Sequence, residues 1–175
     1  ERDESVEEFA GQLLQRGVEY LRKTVGDDYE FPENFTVELS QRPRHGALGS
    51  FIALAVHRLH EARTGTKERQ DLEQSLVLHE LVHNLRDEED LSMMIELAYM
   101  LERGHIDRIR NIERIYREGR LTNPYINGLQ MIAEALGKES LDDLFATIQK
   151  EDAVVLKDTF ASKVRGVMAE LKGAA

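Results

Sequence analysis

The fold class this chain predicts is α+β and mostly helical, with a small sheet packed beside one long helix and a helical C-terminal half. Three observations carry that expectation. From Lys67 onward, nearly every stretch repeats its apolar residues at helical spacing. Strand-like patterning is confined to the region before it, where Phe35-Thr36-Val37-Glu38-Leu39 alternates and Phe51-Ile52-Ala53-Leu54-Ala55-Val56 forms a short apolar run. The length of 175 residues, 41% hydrophobic and 32% charged, suits a single domain with a substantial core and a well-solvated surface.

Taken in order, residues 4–24 form an amphipathic helix, because Val6, Phe9, Leu13, Leu14, Val18 and Leu21 recur on one face. Gly26-Asp27-Asp28 breaks it, and the stretch with Pro32 is a connection. Residues 35–39 are a strand, after which Pro43, Gly46 and Gly49 punctuate the chain. The run 51–56 could also open a helix toward Arg63, since length alone does not separate the two; the reading taken is a strand passing into a short helix around 58–61. Helices are expected over 67–85, 91–102 and 106–117, with Asp87-Glu88-Glu89-Asp90 as an acidic connection and Gly119 as a stop. Asn123-Pro124 reads as N-cap and first helical residue of a helix ending near Gly137. Ser140 caps another, with Asp143 three residues on, and a last helix covers 152–171. The domain accordingly subdivides into 1–66, 67–104 and 105–175.

Net charge of −10 argues against a nucleic-acid partner, which needs clustered Lys and Arg. With no cysteine, disulfides, thiolate nucleophiles and cysteine metal ligands are excluded, so any metal is held by His, Asp or Glu. No apolar run approaches the roughly 18 residues of a membrane span, and no membrane partner is expected. Location is not fixed by the sequence: the cytoplasm is favoured slightly over export, which stays open because the chain begins at Glu1 without Met.

The chemistry concentrates in His79-Glu80-Leu81-Val82-His83. Helical positions i and i+4 share a face, so two imidazoles can aim at one point while Glu80 leans over it. This HExxH pattern suits a hydrolytic zinc: two nitrogen donors, an open position for water, and a carboxylate to take the water's proton. Its setting, Leu76 to Leu85, is strongly apolar, where unpartnered imidazoles would be costly. The blander reading is a solvated face whose His and Glu bond to neighbours.

A catalytic zinc wants a third protein ligand. The HxxGxxH extension is absent, as Arg86 stands where Gly is required. Within Leu91–Leu101, Glu96 is the lone carboxylate in an apolar stretch. If the two helices pack antiparallel, His83 lies about 4–5 Å from its helix end and Glu96 about 7–8 Å from its helix start. Glu102 would sit about 16 Å along, so Glu96 is favoured with Glu102 as the alternative. Glu89 and Asp90 are taken as cap residues.

HExxH followed by a Glu on the next helix resembles the gluzincin branch of the zincin metallopeptidases, and Glu96-Leu97-Ala98 is similar to the small-residue pattern after the third ligand there. A helix, a small sheet, the active helix and a Glu helix resemble the compact minimal gluzincins. The resemblance covers about 65 residues, Phe35 to Glu102, and is specific at His79, Glu80 and His83. The departure is the short interval from His83 to Glu96. The resemblance implies a zinc metallopeptidase with Zn2+ as cofactor, Glu80 as general base and later proton donor, and His79, His83 and Glu96 as ligands. It implies a peptide or protein substrate bound along an edge strand, with Phe51–Val56 the candidate. Tyr99, His105 and Tyr125 are candidates to stabilise the oxyanion. A regulatory protein partner or a missing flanking segment could hold such an enzyme latent.

Other features read as structural. His57 and His60 are taken as surface residues, Met93, Met94 and Met100 as core filling, and Arg103–Arg117 as an exposed helix laced with ion pairs. Asp87–Asp90 lacks the oxygen spacing and Gly of a calcium loop. Rival functions are an inactive zincin-like scaffold and a metal-free helical interaction module. Deformylase chemistry, which uses a Cys ligand, is disfavoured.

Overall fold

Val6, Phe9, Ala10, Leu13, Gly17 and Leu21 are buried at helical spacing, and that stripe seats the first helix, α1 (Glu4–Val25), on its neighbours. In this computed structural model the described residues are 4–25, 36–48, 51–85 and 88–150. The helix expected over 152–171 and the connection around Pro32 lie outside them. The chain divides into two compact units, Glu1–Glu88 and Glu89–Ala175.

The first unit continues with β1 (Thr36–Ser40), β2 (Gly46–Leu48), β3 (Phe51–Ala55), α2 (Val56–Arg63) and α3 (Lys67–Leu85). The three strands form one sheet in the order β1-β3-β2. β1 runs parallel to β3 with Glu38 opposite Ala53, and β2 runs antiparallel to β3 with Ala47 opposite Ile52. Ile52, Ala53, Leu54 and Ala55 are all buried, as a strand covered on both faces requires. That continuous burial explains why the run shows no alternation. β3 is therefore the central strand, which corrects the expectation that it is the edge: both its ladders are already taken, and β1 and β2 are the edges. α3 packs on β2, β3, α1 and α2, so the sheet lies beside the HExxH helix as expected.

The second unit is helical: α4 (Glu89–Glu102), α5 (Ile106–Arg117), α6 (Asn123–Ala135) and α7 (Leu141–Lys150). α4 starts two residues earlier than expected, so Glu89 and Asp90 form its first turn, where carboxylates favour the helix dipole. Every residue from Leu91 to Leu101 is buried. Asn127 of α6 donates to Asp90 Oδ2 at 3.2 Å. Gly128 lets α6 approach the α4 backbone, since a Cβ there would stand 3.1 Å from the Met94 nitrogen. Met93, Met94 and Met100 fill this core as expected. α5 stops at Gly119 with φ 71°, and Arg120 N–H bonds back to the Ile115 carbonyl at 3.1 Å, closing the end of the helix. The α6 N-cap is Thr122, with extended backbone, rather than Asn123; Pro124 then falls one position further into the first turn. Ser140 does cap α7, its Oγ accepting from Asp143 N–H at 3.1 Å. Among the described residues no helix is long and apolar enough to cross a membrane.

Candidate metal centre

α3 begins where Thr66 Oγ1 accepts the Arg69 N–H at 3.2 Å, which satisfies one of the orphan donors of the first turn. Two features hold the helix against α1. Gln74 Nε2 donates to the Leu13 carbonyl at 2.8 Å, and Gly17 lacks the Cβ that would stand 2.7 Å from Leu81 Cδ1. Leu78, Leu81 and Val82 are fully withdrawn into the core of this unit. That packing fixes the rotation of α3 and with it the direction of the side chains between them.

His79 and His83 are brought together as their spacing requires. Their Nε2 atoms are 3.2 Å apart and their ring centroids 4.9 Å apart, with the rings tilted by 58°. His79 is buried, while His83 and Glu80 are half-buried. Two nitrogen donors about 2.0–2.1 Å from a tetrahedral ion stand roughly 3.3–3.4 Å from each other. The observed separation is close to that, and it is also within hydrogen-bond distance. If the two rings bond to each other, one Nε2 carries the proton. An ion between them needs both Nε2 lone pairs, and both protons then sit on Nδ1.

A second buried group on α3 went unread in the sequence. Glu73 Oε2 lies 2.7 Å from His45 Nε2, and Glu73 Oε1 lies 2.9 Å from Arg58 Nη2 and 3.1 Å from its Nε. Ala55 N–H donates to His45 Nδ1 at 2.9 Å. Nδ1 is thus the acceptor, and Nε2 carries the proton that His45 gives to Glu73. Burial by itself would push the Glu73 carboxyl up, but hydrogen bonds from His45 and Arg58, together with the Arg58 charge, outweigh it and hold Glu73 below the usual carboxylate range. The network ties the residue before β2, the end of β3 and the start of α2 to α3, two turns ahead of His79. β2 too went unread, although Gly49-Ser50, between Leu48 and its partner Phe51, is a two-residue hairpin signal in the sequence.

The remaining sequence candidates belong to the second unit. Glu96 is buried on α4, with its Oε2 3.5 Å from Arg108 Nη2. Tyr99 is a core residue of α4, with the Arg103 guanidinium 4.9 Å from its ring centroid. His105 is the N-cap of α5 and makes no side-chain cap bond. Tyr125 of α6 has its phenol held above the ordinary value, chiefly by burial and then by the Glu96 charge, against an opposing contribution from Arg108. It is therefore a proton-bearing donor at neutral pH. Glu102 closes α4, half-buried. His57 and His60 are exposed on α2, as expected.

The chain matches no family model, no curated protein and no solved structure.

Proposed function

We propose that this chain is a metal-dependent hydrolase of the HExxH kind, acting on peptide bonds, with His79 and His83 as metal ligands and Glu80 as proton acceptor. The observation that carries the metal reading is the convergence of two Nε2 atoms to 3.2 Å on one helix face. Peptide as the substrate class rests on the resemblance of His79-Glu80-Leu81-Val82-His83 to the gluzincin pattern. A bound zinc would supply a Lewis acid and lower the pKa of a water molecule to near neutrality. The chain's own contribution is then local. The α3 backbone holds both imidazoles in one direction, and the Glu80 carboxylate, one residue on from His79, takes a proton and later returns it to the leaving amine.

A carboxylate is the third ligand in this proposal, and Glu89 is put ahead of Glu96 for its short separation from His83 along the chain. Glu89 stands six residues after His83, so the chain keeps it within about 20 Å whatever the arrangement of the segment between. It is exposed in the first turn of α4, whereas Glu96 is buried with the Arg108 guanidinium beside it. Tyr99, His105 and Tyr125 stay as candidate donors to the oxyanion.

The test is metal content by elemental analysis after reconstitution with zinc, with proteolysis of an unfolded protein followed in parallel. About one zinc per chain is expected, lost in His83→Ala and in Glu89→Ala but kept in Glu96→Ala and Glu102→Ala. Glu80→Gln should keep the metal and the fold and lose hydrolysis. Metal bound with no effect of Glu80→Gln on function would leave a zincin-like scaffold, and no bound metal would leave a helical interaction module.

A further inference from the structure

β1 pairs with β3 along one side, and among the described residues no strand pairs with its other side. Beside β1 lies a groove of about 590 Å³, lined by α1 and the strand. Val37, Glu38 and Leu39 all line it. Successive side chains of a strand point to opposite faces, so a groove meeting all three runs along the strand's edge rather than beneath one face. α1 contributes Val6, Ala10 and Leu14, each four residues from the last and therefore one stripe. Val37, at 39% exposure, is the one large hydrophobic side chain left exposed among the described residues. The groove is open at Gly11, where a Cβ would meet no heavy atom within 4 Å. Glu7 and Glu38 bring carboxylates to it, and no Lys, Arg or His is among its lining residues.

We propose that this groove binds an extended peptide of about five residues as a strand added to β1, the length of β1 setting the span. Apolar side chains of the peptide lie on Val37 and on Leu14, the half-buried member of the α1 stripe, and a Lys or Arg lies beside Glu38. Strand addition follows from the unpaired N–H and C=O groups that an edge strand presents. The cationic preference follows from the Glu38 carboxylate and from the chain's net charge of −10. A second copy of the chain fits less well. Glu38 is the central residue of β1, so two-fold antiparallel pairing through this edge would set Glu38 against its own counterpart. The proposal concerns the first unit alone and does not depend on the metal reading.

The test is fluorescence anisotropy with a labelled, end-capped heptapeptide of alternating valine and lysine, beside a version whose central residues are proline. Saturable binding of the first and none of the second is expected. Gly11→Leu fills the groove from an exposed helix position, and Glu38→Lys reverses its charge; each should weaken binding by at least about tenfold with melting temperature and circular dichroism unchanged. No saturation by wild type up to about 1 mM, or unchanged affinity in a folded Gly11→Leu, overturns the proposal. So does sedimentation showing a dimer that Gly11→Leu dissolves, which would assign the groove to a second copy.

Discussion

His45 and Glu73, 28 residues apart in the chain, meet at 2.7 Å with side chains 3% and 0% exposed. The contact joins the residue before β2 to the middle of α3, and Arg58 completes it from α2. A carboxylate in the core of this unit is thereby stabilised by a neutral donor and the Arg58 cation, with Arg69 Nε a further 4.0 Å from Oε1, and the HExxH helix is held to the sheet through it.

Glu73→Ala should destabilise the fold by about 2–4 kcal/mol, because the His45 Nε2–H and the Arg58 guanidinium lose their acceptor together. The figure sits toward the low end for a broken buried pair because Arg58 remains 26% exposed and can turn to water. Urea unfolding of wild type and variant measures it. A loss below about 0.5 kcal/mol would mean that the network contributes little.

The same carboxylate makes stability depend on acid. The Glu73 folded-state value lies below its unfolded value, near 4.3 for an ordinary Glu, so the unfolded chain binds the extra proton as pH falls. Its contribution is complete above that unfolded value and is lost as pH drops through the folded one. Wild type should exceed Glu73→Gln in stability at pH 7, with the gap narrowing below about pH 4. Denaturant titrations at several pH values read the gap directly, and a gap independent of pH would remove Glu73 as its source.

Metal removal should be visible as a loss of thermal stability. Zinc at about a hundred times its dissociation constant stabilises the bound state by about 2.7 kcal/mol, enough to raise the melting temperature by several degrees. A chelator should reverse the rise, and neither His79→Ala nor His83→Ala should show it. The effect should fade as the solution is acidified, because a protonated imidazole has no lone pair to give a metal. Equal zinc responses in wild type and both variants would place the ion elsewhere.

Two glycines should respond oppositely to alanine. At Gly128 the new methyl meets Met94 N at 3.1 Å, Met93 Cγ at 3.2 Å and the Met93 carbonyl carbon at 3.3 Å, two of them backbone atoms. Overpacking there costs about 1–3 kcal/mol against a helix-propensity gain of at most about 1, so Gly128→Ala should be destabilising. At Gly11 the methyl meets nothing within 4 Å, and Gly11→Ala should gain about 0.5–1 kcal/mol. Differential scanning calorimetry of the two variants distinguishes these signs.

Much of the local structure was legible from the order of residues. α3 and α5 begin and end where apolar spacing and the flanking Thr66 and Gly119 place them, and His79 and His83 converge because i and i+4 always share a helical face. Period and punctuation are short-range properties, written within a few residues of one another. β2 is the instructive omission. Three residues are too few to show a period, and only the Gly49-Ser50 pair after them signalled a hairpin.

The sequence by itself therefore determined the helices among the described residues, the mostly helical α+β class and the pair of imidazoles on one face. Tertiary structure alone decided that β3 lies between β1 and β2, that Glu73 is met by His45 and Arg58, and that Glu96 has Arg108 beside it. The reason is the range of the interactions. Helix hydrogen bonds close over four residues and leave their mark on local spacing. The β1–β3 pairing and the buried ion pairs join residues 12 to 28 positions apart, and nothing in either neighbourhood encodes the partner.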